Sequence, residues 1–212
     1  MEKIVKIPVN DEDLEGLLAI PEGAKGIVLF AHGCGSSRLS PRENFVAKWL
    51  NKAGLATLLF DLLTKEEDRD YSTRFNIELL NQRLIPATQW VEAQKEMKGL
   101  SIGYFGASTG AAGALFSAAH FGPKIKAVVS RGGRPDLAIP IINKVVSPTL
   151  FIVGGNDFGV IELNKKAFEK LKCEREFQIV PGATHLFEEP GTLEQVAELA
   201  AQWFKKYLLV PG

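Results

Sequence analysis

The chain has 212 residues, of which 46% are hydrophobic and 24% charged, and its 25 basic and 25 acidic side chains give a formal net charge of zero. Such a composition is typical of a globular domain and excludes disordered and fibrous classes. Because the sequence contains no basic stripe and no apolar run as long as a membrane span, neither nucleic acid nor a membrane is expected as a partner.

The amino-terminal segment and the cysteines bear on the compartment and on metal binding. Residues Met1–Lys6 alternate between charged and apolar side chains and lack the hydrophobic core of a signal peptide. The two cysteines, Cys34 and Cys173, form no metal-type cluster, so we expect free thiols in a cytoplasmic protein without metal or cofactor. The composition is compatible with a homodimer but does not determine the oligomeric state.

Eight short apolar segments are predicted as β-strands. They are Lys3–Pro8, Glu15–Ile20, Gly26–Ala31, Ala56–Asp61, Ser101–Phe105, Ala127–Ser130, Thr149–Val153 and Glu176–Val180. The first two flank the turn-like segment Asn10–Asp13 and are expected to form an antiparallel hairpin at a sheet edge. The later segments are almost continuously apolar, as expected for strands covered on both faces.

Two helices are predicted from their boundary residues. Ser40-Pro41-Arg42-Glu43 is a capping box with proline at the first helical position, and it predicts a helix that runs to about Ala53. A longer helix is expected from Asn76 to about Gln94, with a kink at Pro86.

A third helix is expected to run to about Tyr207, with Thr192 and Gln195 in its capping-box positions. Strands that alternate with helices predict an α/β fold with a mainly parallel sheet and helices on both faces. Since no linker or repeat divides the sequence, residues 1–212 are expected to form one domain.

The segment Leu63–Arg74 is densely charged and interrupts this alternation. It is interpreted as a solvated loop or, alternatively, as a mobile flap over the functional site. In the second interpretation Tyr71 and Phe75 would face the substrate.

The motif Gly106-Ala107-Ser108-Thr109-Gly110 has the pattern G-x-S-x-G. It follows a predicted strand and precedes the small-residue stretch Ala111–Ala119, which predicts a tight turn between a strand and a helix. Glycines allow the sharp backbone turn, and the turn would present Ser108 as a nucleophile above the sheet.

A serine nucleophile needs a base, and the chain has three histidines. His120 follows Ser108 by twelve residues on the same predicted helix, which places it about 18 Å away. His32 is attributed to the loop that it introduces. His185, in a turn directly after the last strand, is therefore the predicted base.

Two aspartates compete for the acid that orients the base. Asp157 follows the apolar strand Thr149–Val153, and ligands bind at the carboxyl ends of strands in open α/β sheets. Asp136 follows the preceding strand and is the alternative. The order Ser, Asp, His along the chain is typical of this architecture, and we favour Asp157.

Acyl transfer also needs donors for the developing oxyanion. The glycine-rich turn that contains Gly33 and Cys34 supplies the Cys34 N–H, which we predict to act with the N–H of Thr109. Three arginines, Arg38, Arg131 and Arg134, are placed on loops near the same rim. They are candidates for binding a substrate carboxylate or phosphate, with a structural ion pair as the alternative, and Gly33 is a further candidate for substrate binding.

The chain resembles the α/β-hydrolase superfamily, and within it the small dienelactone-hydrolase-like branch. The matching motifs are His32-Gly33-Cys34-Gly35, Gly106-Ala107-Ser108-Thr109-Gly110, Gly154-Gly155-Asn156-Asp157 and Gly182-Ala183-Thr184-His185. The resemblance covers nearly the whole chain. It implies an eight-stranded, mostly parallel sheet and a triad of Ser108, His185 and Asp157.

One residue departs from the family pattern. Dienelactone hydrolases proper carry cysteine in the elbow, where this chain has Ser108, and serine favours simple ester hydrolysis over lactone hydrolysis. The length leaves no room for an inserted cap domain, which argues against long lipid substrates. Two further segments, Phe30–Arg38 and Ser130–Asp136, resemble a subgroup that is fused to phosphoribosyltransferase domains in some proteins.

The expected function is a serine carboxylesterase that acts on small, short-acyl esters through an acyl-enzyme. Thioesterase, lactonase and peptidase activities use the same residues and remain alternatives, as does a catalytically idle binding domain. Dinucleotide binding is disfavoured, because the glycines at 103, 106, 110 and 113 do not form G-x-G-x-x-G.

Overall fold

The computed structural model describes residues 2–9, 12–64, 66–70, 72–73 and 76–209. One eight-stranded sheet has the spatial order β1-β2-β4-β3-β5-β6-β7-β8. The strands are β1 (Glu2–Val9), β2 (Glu12–Ala19), β3 (Gly26–Ala31), β4 (Ala56–Phe60), β5 (Ser101–Ala107), β6 (Ile125–Arg131), β7 (Thr149–Gly154) and β8 (Arg175–Val180).

The sheet is mostly parallel, as predicted. Strand β2 pairs antiparallel with both β1 and β4, and the other neighbouring strands pair in parallel. The edge hairpin is confirmed, although Glu12 and Asp13 belong to β2 rather than to the turn, opposite Val9 and Pro8. The remaining turn residues Asn10–Asp11 lie outside the described residues.

Within the part of the chain that the structure describes, five α-helices cover the two faces of the sheet. They are α1 (Pro41–Lys52), α2 (Ile77–Ala93), α3 (Thr109–Phe121), α4 (Phe158–Lys170) and α5 (Thr192–Leu208). Buried side chains of α1 and α5 share one hydrophobic core with one face, and those of α2, α3 and α4 share a second core with the other. A 3₁₀ segment, Pro135–Lys144, follows β6 and has no counterpart in the predicted elements.

The predicted cap of α1 and the predicted start of α2 are confirmed. The Ser40 Oγ accepts a hydrogen bond from the Glu43 N–H at 3.4 Å, and the Asn76 Oδ1 accepts one from the Leu79 N–H at 3.1 Å. Helix α2 continues through Pro86 to Ala93.

The predicted capping box of the last helix is wrong. Gly191, with φ of 80°, precedes α5, and Thr192 is its first helical residue. The Thr192 hydroxyl donates to the Glu189 carbonyl at 2.7 Å instead of accepting from the helix. The reason is that glycine adopts this left-handed conformation without steric cost, which lets the chain enter the helix one residue earlier.

The centre of the sheet is the most deeply buried part of the fold. Every residue of β3, β4 and β7 is buried, whereas the edge strand β8 exposes Arg175, Glu176 and Ile179. The expectation of strands covered on both faces therefore fails at β8. Among the described residues, no helix has both the length and the apolarity needed to cross a membrane.

Candidate active site

Ser108 stands in the turn between β5 and α3. Its φ of 50° and ψ of −123° lie in a region that non-glycine residues rarely occupy. The side chain is half-buried. A serine held in this strained turn is the arrangement that the G-x-S-x-G motif predicts.

The glycines beside Ser108 allow helix and sheet to approach closely. A Cβ added to Gly106 would lie 2.5 Å from the Ala111 Cα, and one added to Gly110 would lie 2.0 Å from the Ala31 carbonyl oxygen. Because both obstacles are backbone atoms, no side-chain rotation would relieve the clash. The turn therefore requires glycine at both positions.

Backbone hydrogen bonds hold the turn against the segment that follows β6. The Ser108 N–H donates to the Arg131 carbonyl at 3.3 Å. The Ser108 carbonyl accepts from the N–H groups of Arg134 and Ala111 at 2.9 and 3.1 Å. The backbone donor and acceptor of the strained residue are thus both satisfied, which holds the main chain of the turn in place.

His185 and Asp157 are in direct contact. The His185 Nδ1 lies 2.7 Å from the Asp157 Oδ2, and the two side chains are 37% and 16% exposed. Asp157 follows β7 and precedes α4, and His185 lies in the turn after β8. Because Nδ1 bonds to the carboxylate, Nε2 is the ring nitrogen left to exchange a proton with a nucleophile.

The loops that carry the acid and the base are joined by further contacts. The Asn156 N–H donates to the Ala183 carbonyl at 2.9 Å, and the Asn156 Nδ2 donates to the Gly182 carbonyl at 3.0 Å. A Cβ on Gly154 would lie 2.5 Å from the Ala183 carbonyl oxygen, so the two loops pack backbone against backbone.

The alternative acid, Asp136, is engaged elsewhere. Its two carboxylate oxygens accept from the Arg134 Nε and Nη2, each at 2.9 Å. That bidentate pair raises the pKa of the Arg134 guanidinium above its ordinary value. Of the two aspartates considered, Asp157 is therefore the one that contacts His185.

Ser108 and His185 both border the end of β6. The Ser108 N–H reaches the Arg131 carbonyl, and a Cβ on the next residue, Gly132, would lie 3.2 Å from the His185 carbonyl oxygen and 3.5 Å from its Nδ1. The structure thus brings the serine and the histidine together at the carboxyl ends of the parallel strands, although 77 positions separate them in the sequence.

The glycine-rich turn after β3 lies against the nucleophile. A Cβ on Gly33 would lie 2.9 Å from the Ser108 Cβ. The Cys34 N–H, predicted as an oxyanion donor, donates to the Thr109 Oγ1 at 3.2 Å. Thr109 is the first residue of α3, where a main-chain N–H needs no partner within the helix. The role of the Thr109 hydroxyl was not predicted from the sequence.

The prediction that Arg131 lies on a loop is wrong. Arg131 is the last residue of β6 and is buried. Its Nη2 donates to the Glu43 Oε1 at 3.0 Å, and its guanidinium carbon lies 5.7 Å from the centre of the Phe187 ring. Burial lowers the pKa of Arg131, and the Glu43 carboxylate opposes this shift. The burial follows from pairing with Glu43, a contact for which no sequence pattern exists.

Arg38 is also held by carboxylates of the chain. Its backbone N–H donates to the Asp61 Oδ1 at 2.8 Å, and its guanidinium contacts the carboxylates of both Asp61 and Glu15. Each of the three arginines is thus in an ion pair with a carboxylate of the chain, which is the alternative to substrate binding. The three are Arg38, Arg131 and Arg134.

The other histidines lie outside this arrangement. His32 is buried, accepts from the Leu62 N–H on Nε2 at 2.9 Å and has its Nδ1 3.0 Å from the Gly33 carbonyl oxygen. It thereby supports the loop that it introduces, as predicted. His120 is exposed in the last turn of α3.

The charged segment Leu63–Arg74 is described only in part. Residues Glu67–Arg69 form a short 3₁₀ turn, and the Glu67 Oε1 accepts from the Arg83 Nη2 of α2 at 2.5 Å. Tyr71 and Phe75 lie outside the described residues, so a flap with substrate-facing aromatics stays a prediction. Within the described part of the chain, no three His, Cys, Asp or Glu side chains are grouped to hold a metal ion.

A family model and a solved structure similar to this chain carry the same family name. Residues 14–208 match the model of the dienelactone hydrolase family. A crystal structure of a dienelactone hydrolase from Anabaena variabilis is 53% identical, covers 98% of both chains and superimposes with a TM-score of 0.95. Est1E from Butyrivibrio proteoclasticus shares the fold, with a TM-score of 0.83 at 16% identity over 96% of this chain and 98% of its own.

Two curated relatives from strains of Mycobacterium tuberculosis are longer proteins. Each is 53% identical to 97% of this chain and carries the name putative phosphoribosyl transferase. The chain spans about half the length of these relatives, 48% of each. Their name therefore describes proteins about twice as long as the segment compared.

Proposed function

The chain belongs to the dienelactone hydrolase family, and from this membership and the geometry of the site we propose that it is a serine hydrolase that cleaves small esters with short acyl groups. The observation that carries the proposal is the 2.7 Å contact between the His185 Nδ1 and the Asp157 Oδ2, at the edge of the sheet where Ser108 occupies its strained turn. A histidine oriented by a carboxylate beside such a serine is suited to acyl transfer.

In the proposed reaction the Ser108 Oγ attacks the ester carbonyl carbon while its proton passes to the His185 Nε2. The tetrahedral intermediate collapses as the same Nε2 returns the proton to the leaving alcohol oxygen. Water then attacks the acyl-enzyme, gives a proton to Nε2, and the carboxylic acid leaves as Ser108 regains its proton. Asp157 stabilises the imidazolium in both halves of the reaction.

The oxyanion is proposed to bind the N–H groups of Thr109 and Cys34. The Thr109 N–H lies at the amino end of α3, where the helix dipole favours negative charge. The Cys34 N–H now donates to the Thr109 Oγ1 at 3.2 Å, so the hydroxyl would turn away as the oxyanion forms. One such donor contributes about 3 kcal/mol to transition-state stabilisation.

The proposal is tested by hydrolysis of 4-nitrophenyl acetate and by labelling with a fluorophosphonate probe. Ser108→Ala should abolish both turnover and labelling, whereas Ser117→Ala, which changes a buried serine of the same helix, should retain both. Turnover that survives in Ser108→Ala would contradict the proposal. Folded wild-type protein that is neither labelled nor active would favour a catalytically idle binding domain.

A lactonase that uses the same residues is the second candidate, because the Anabaena variabilis protein at 53% identity bears the name dienelactone hydrolase. A lactone yields one hydroxy acid, whereas an ester yields an acid and an alcohol. Comparison of kcat/KM for δ-valerolactone and for ethyl acetate would decide between the two. A clearly higher value for the lactone would replace the proposed substrate class while leaving Ser108 as the nucleophile. Thioesterase and peptidase activities would be separated by the same comparison with a thioester and an anilide.

A further inference from the structure

The arginines near the site bear on the charge of the substrate. Arg38 is contacted by two carboxylates, those of Asp61 and Glu15, and its side chain is 18% exposed. Two negative charges therefore surround one guanidinium. A substrate carboxylate that approached Arg38 would meet a surplus of negative charge.

Arg131 and Arg134 are neutralised one to one. Arg131 is buried against Glu43, so it is closed to a ligand from solvent. Arg134 is one-third exposed, but Asp136 takes its Nε and Nη2 in a bidentate pair. A substrate carboxylate that approached the rest of the guanidinium would share its single positive charge with Asp136, so it would gain less charge pairing than at an arginine without a carboxylate partner.

A cleft beside Arg38 adds to the negative charge. It has a volume of about 430 Å³ and opens where β4 ends, two strands away from the strand that leads to Ser108. Its acidic lining residues are Glu12, Asp13, Glu15, Asp61 and Glu66. Asp13 lies 3.8 Å from the Lys6 Nζ, and Asp61 and Glu15 contact Arg38. Among the described residues, carboxylates thus outnumber the cations that pair with them in this cleft, which disfavours the approach of an anion.

Apolar side chains are exposed next to the proposed base and acid. Phe158, the first residue of α4, directly follows Asp157 and is 72% exposed. Leu186 directly follows His185 and is 38% exposed. A ligand with an apolar part would cover such side chains when it binds at the neighbouring polar groups.

We infer that the site takes an uncharged ester whose apolar part packs against Phe158 and Leu186, and that it discriminates against substrates that carry a carboxylate. The inference rests on the proposed function and specifies its substrate class. The arginines near the site stabilise the loops through internal carboxylates and do not bind substrate anions.

The test compares two substrates that differ in one charge, 4-nitrophenyl monoadipate, which carries a carboxylate, and its neutral methyl ester. Release of 4-nitrophenol reports the same bond in both, and each rate is divided by the rate with hydroxide alone. The corrected kcat/KM should be at least tenfold higher for the neutral ester. Equal values, or a preference for the anion, would overturn the inference.

Variants test the two parts of the inference separately. Phe158→Ala should raise KM for the neutral ester about fivefold, with the effect on KM rather than kcat because Phe158 is proposed to pack against the apolar part of the substrate and not against the ester carbonyl. Ile4→Ala, which truncates a side chain 73% exposed on β1 at the far edge of the sheet, is the matched control and should leave KM unchanged. If Phe158→Ala alters the oligomeric state and leaves KM unchanged, the apolar surface is an interface and this part of the inference is wrong.

Arg134→Gln and Arg38→Gln should leave the ratio of the two corrected rates within twofold of wild type. A selective loss of activity on the anionic ester in either variant would show that the arginine binds substrate. Fluorophosphonate labelling separates this outcome from failure of the proposed function. Labelled, active enzyme that prefers the anion overturns only the substrate class, whereas unlabelled enzyme that hydrolyses neither ester overturns the proposed function itself.

Discussion

Glu43 in the first turn of α1 and Arg131 at the end of β6 form an ion pair in the protein interior. The Arg131 Nη2 lies 3.0 Å from the Glu43 Oε1, and only 4–5% of either side chain is exposed. Glu43 also contacts the hydroxyl of its cap residue Ser40, and the Arg131 carbonyl accepts the Ser108 N–H. The pair therefore connects the start of α1 to the turn that carries the proposed nucleophile.

Arg131→Met should lower the free energy of unfolding by about 3–5 kcal/mol, because it leaves the Glu43 carboxylate buried without its partner. Urea denaturation followed by circular dichroism measures this change. The double variant Glu43→Leu with Arg131→Met removes both charges and should recover most of the loss. A single variant that costs less than about 1 kcal/mol would show that the pair is not isolated from water.

Asp157→Asn should lower kcat for 4-nitrophenyl acetate by a factor on the order of 10⁴, because the amide no longer stabilises the His185 imidazolium. Asp136→Asn is the matched control, since Asp136 lies in the neighbouring loop and bonds to Arg134. That variant should retain kcat within about threefold. Equal losses in the two variants would contradict the assignment of Asp157 as the acid.

Two glycines of α3 should respond oppositely to alanine. Gly110→Ala should prevent folding or lower its yield sharply, because the Cβ would lie 2.0 Å from the Ala31 carbonyl oxygen. At Gly113 the nearest atom, the Leu80 Cβ, is 3.4 Å away, and Gly113→Ala should raise stability by about 0.5–1 kcal/mol through its higher helix propensity. Thermal unfolding of both variants tests the pair. A tolerated Gly110→Ala would contradict the backbone approach described for the turn.

Tyr104 should make stability fall at alkaline pH. Its phenol is buried 2.7 Å from the Thr88 hydroxyl, and burial raises the pKa of Tyr104 above its ordinary value of about 10. Since the pKa of Tyr104 is higher in the folded than in the unfolded state, the stabilisation that the protonated phenol gives to the folded state is fully present below about pH 10. It declines by about 1.4 kcal/mol per pH unit above that value.

Tyr104→Phe removes this contribution and serves as the comparison. Between pH 9 and pH 11, the free energy of unfolding measured in urea should fall by about 1 kcal/mol more for wild type than for Tyr104→Phe. Identical declines would mean that the phenol is not held protonated in the folded state.

The fold was predictable from local patterns because strands and helices depend on nearest neighbours. Near-continuous apolar runs identified the central strands, and Ser40 and Asn76 marked the starts of two helices that the structure confirms. Helix α4 and the 3₁₀ segment Pro135–Lys144 were not predicted, and two further exceptions arose where a single residue altered the local backbone and where position in the sheet decided exposure. Gly191 shifted the start of α5, and β8 is partly exposed because it is an edge strand.

For the site, too, some features were predictable from the sequence and others were visible only in the tertiary structure. The sequence by itself determined that Ser108 would lie in a strand-to-helix turn, because the flanking glycines are the residues that such a turn needs. It also predicted His185, out of three histidines, as the base and favoured Asp157 over Asp136 as the acid. The tertiary structure shows that Asp157 is the one of the two that contacts His185, because loops after different strands meet only when the strands pair in a sheet.

Only the tertiary structure decided the partners of the charged residues. Arg38 and Arg131 are paired with carboxylates from distant parts of the chain, as Glu43 and Arg131 are 88 positions apart. Ion pairs depend on side-chain distance in space, which hydrophobic periodicity and capping motifs do not encode. The sequence thus determined the strands and the turn that presents Ser108, and the packing of loops at one edge of the sheet decided which charges meet there.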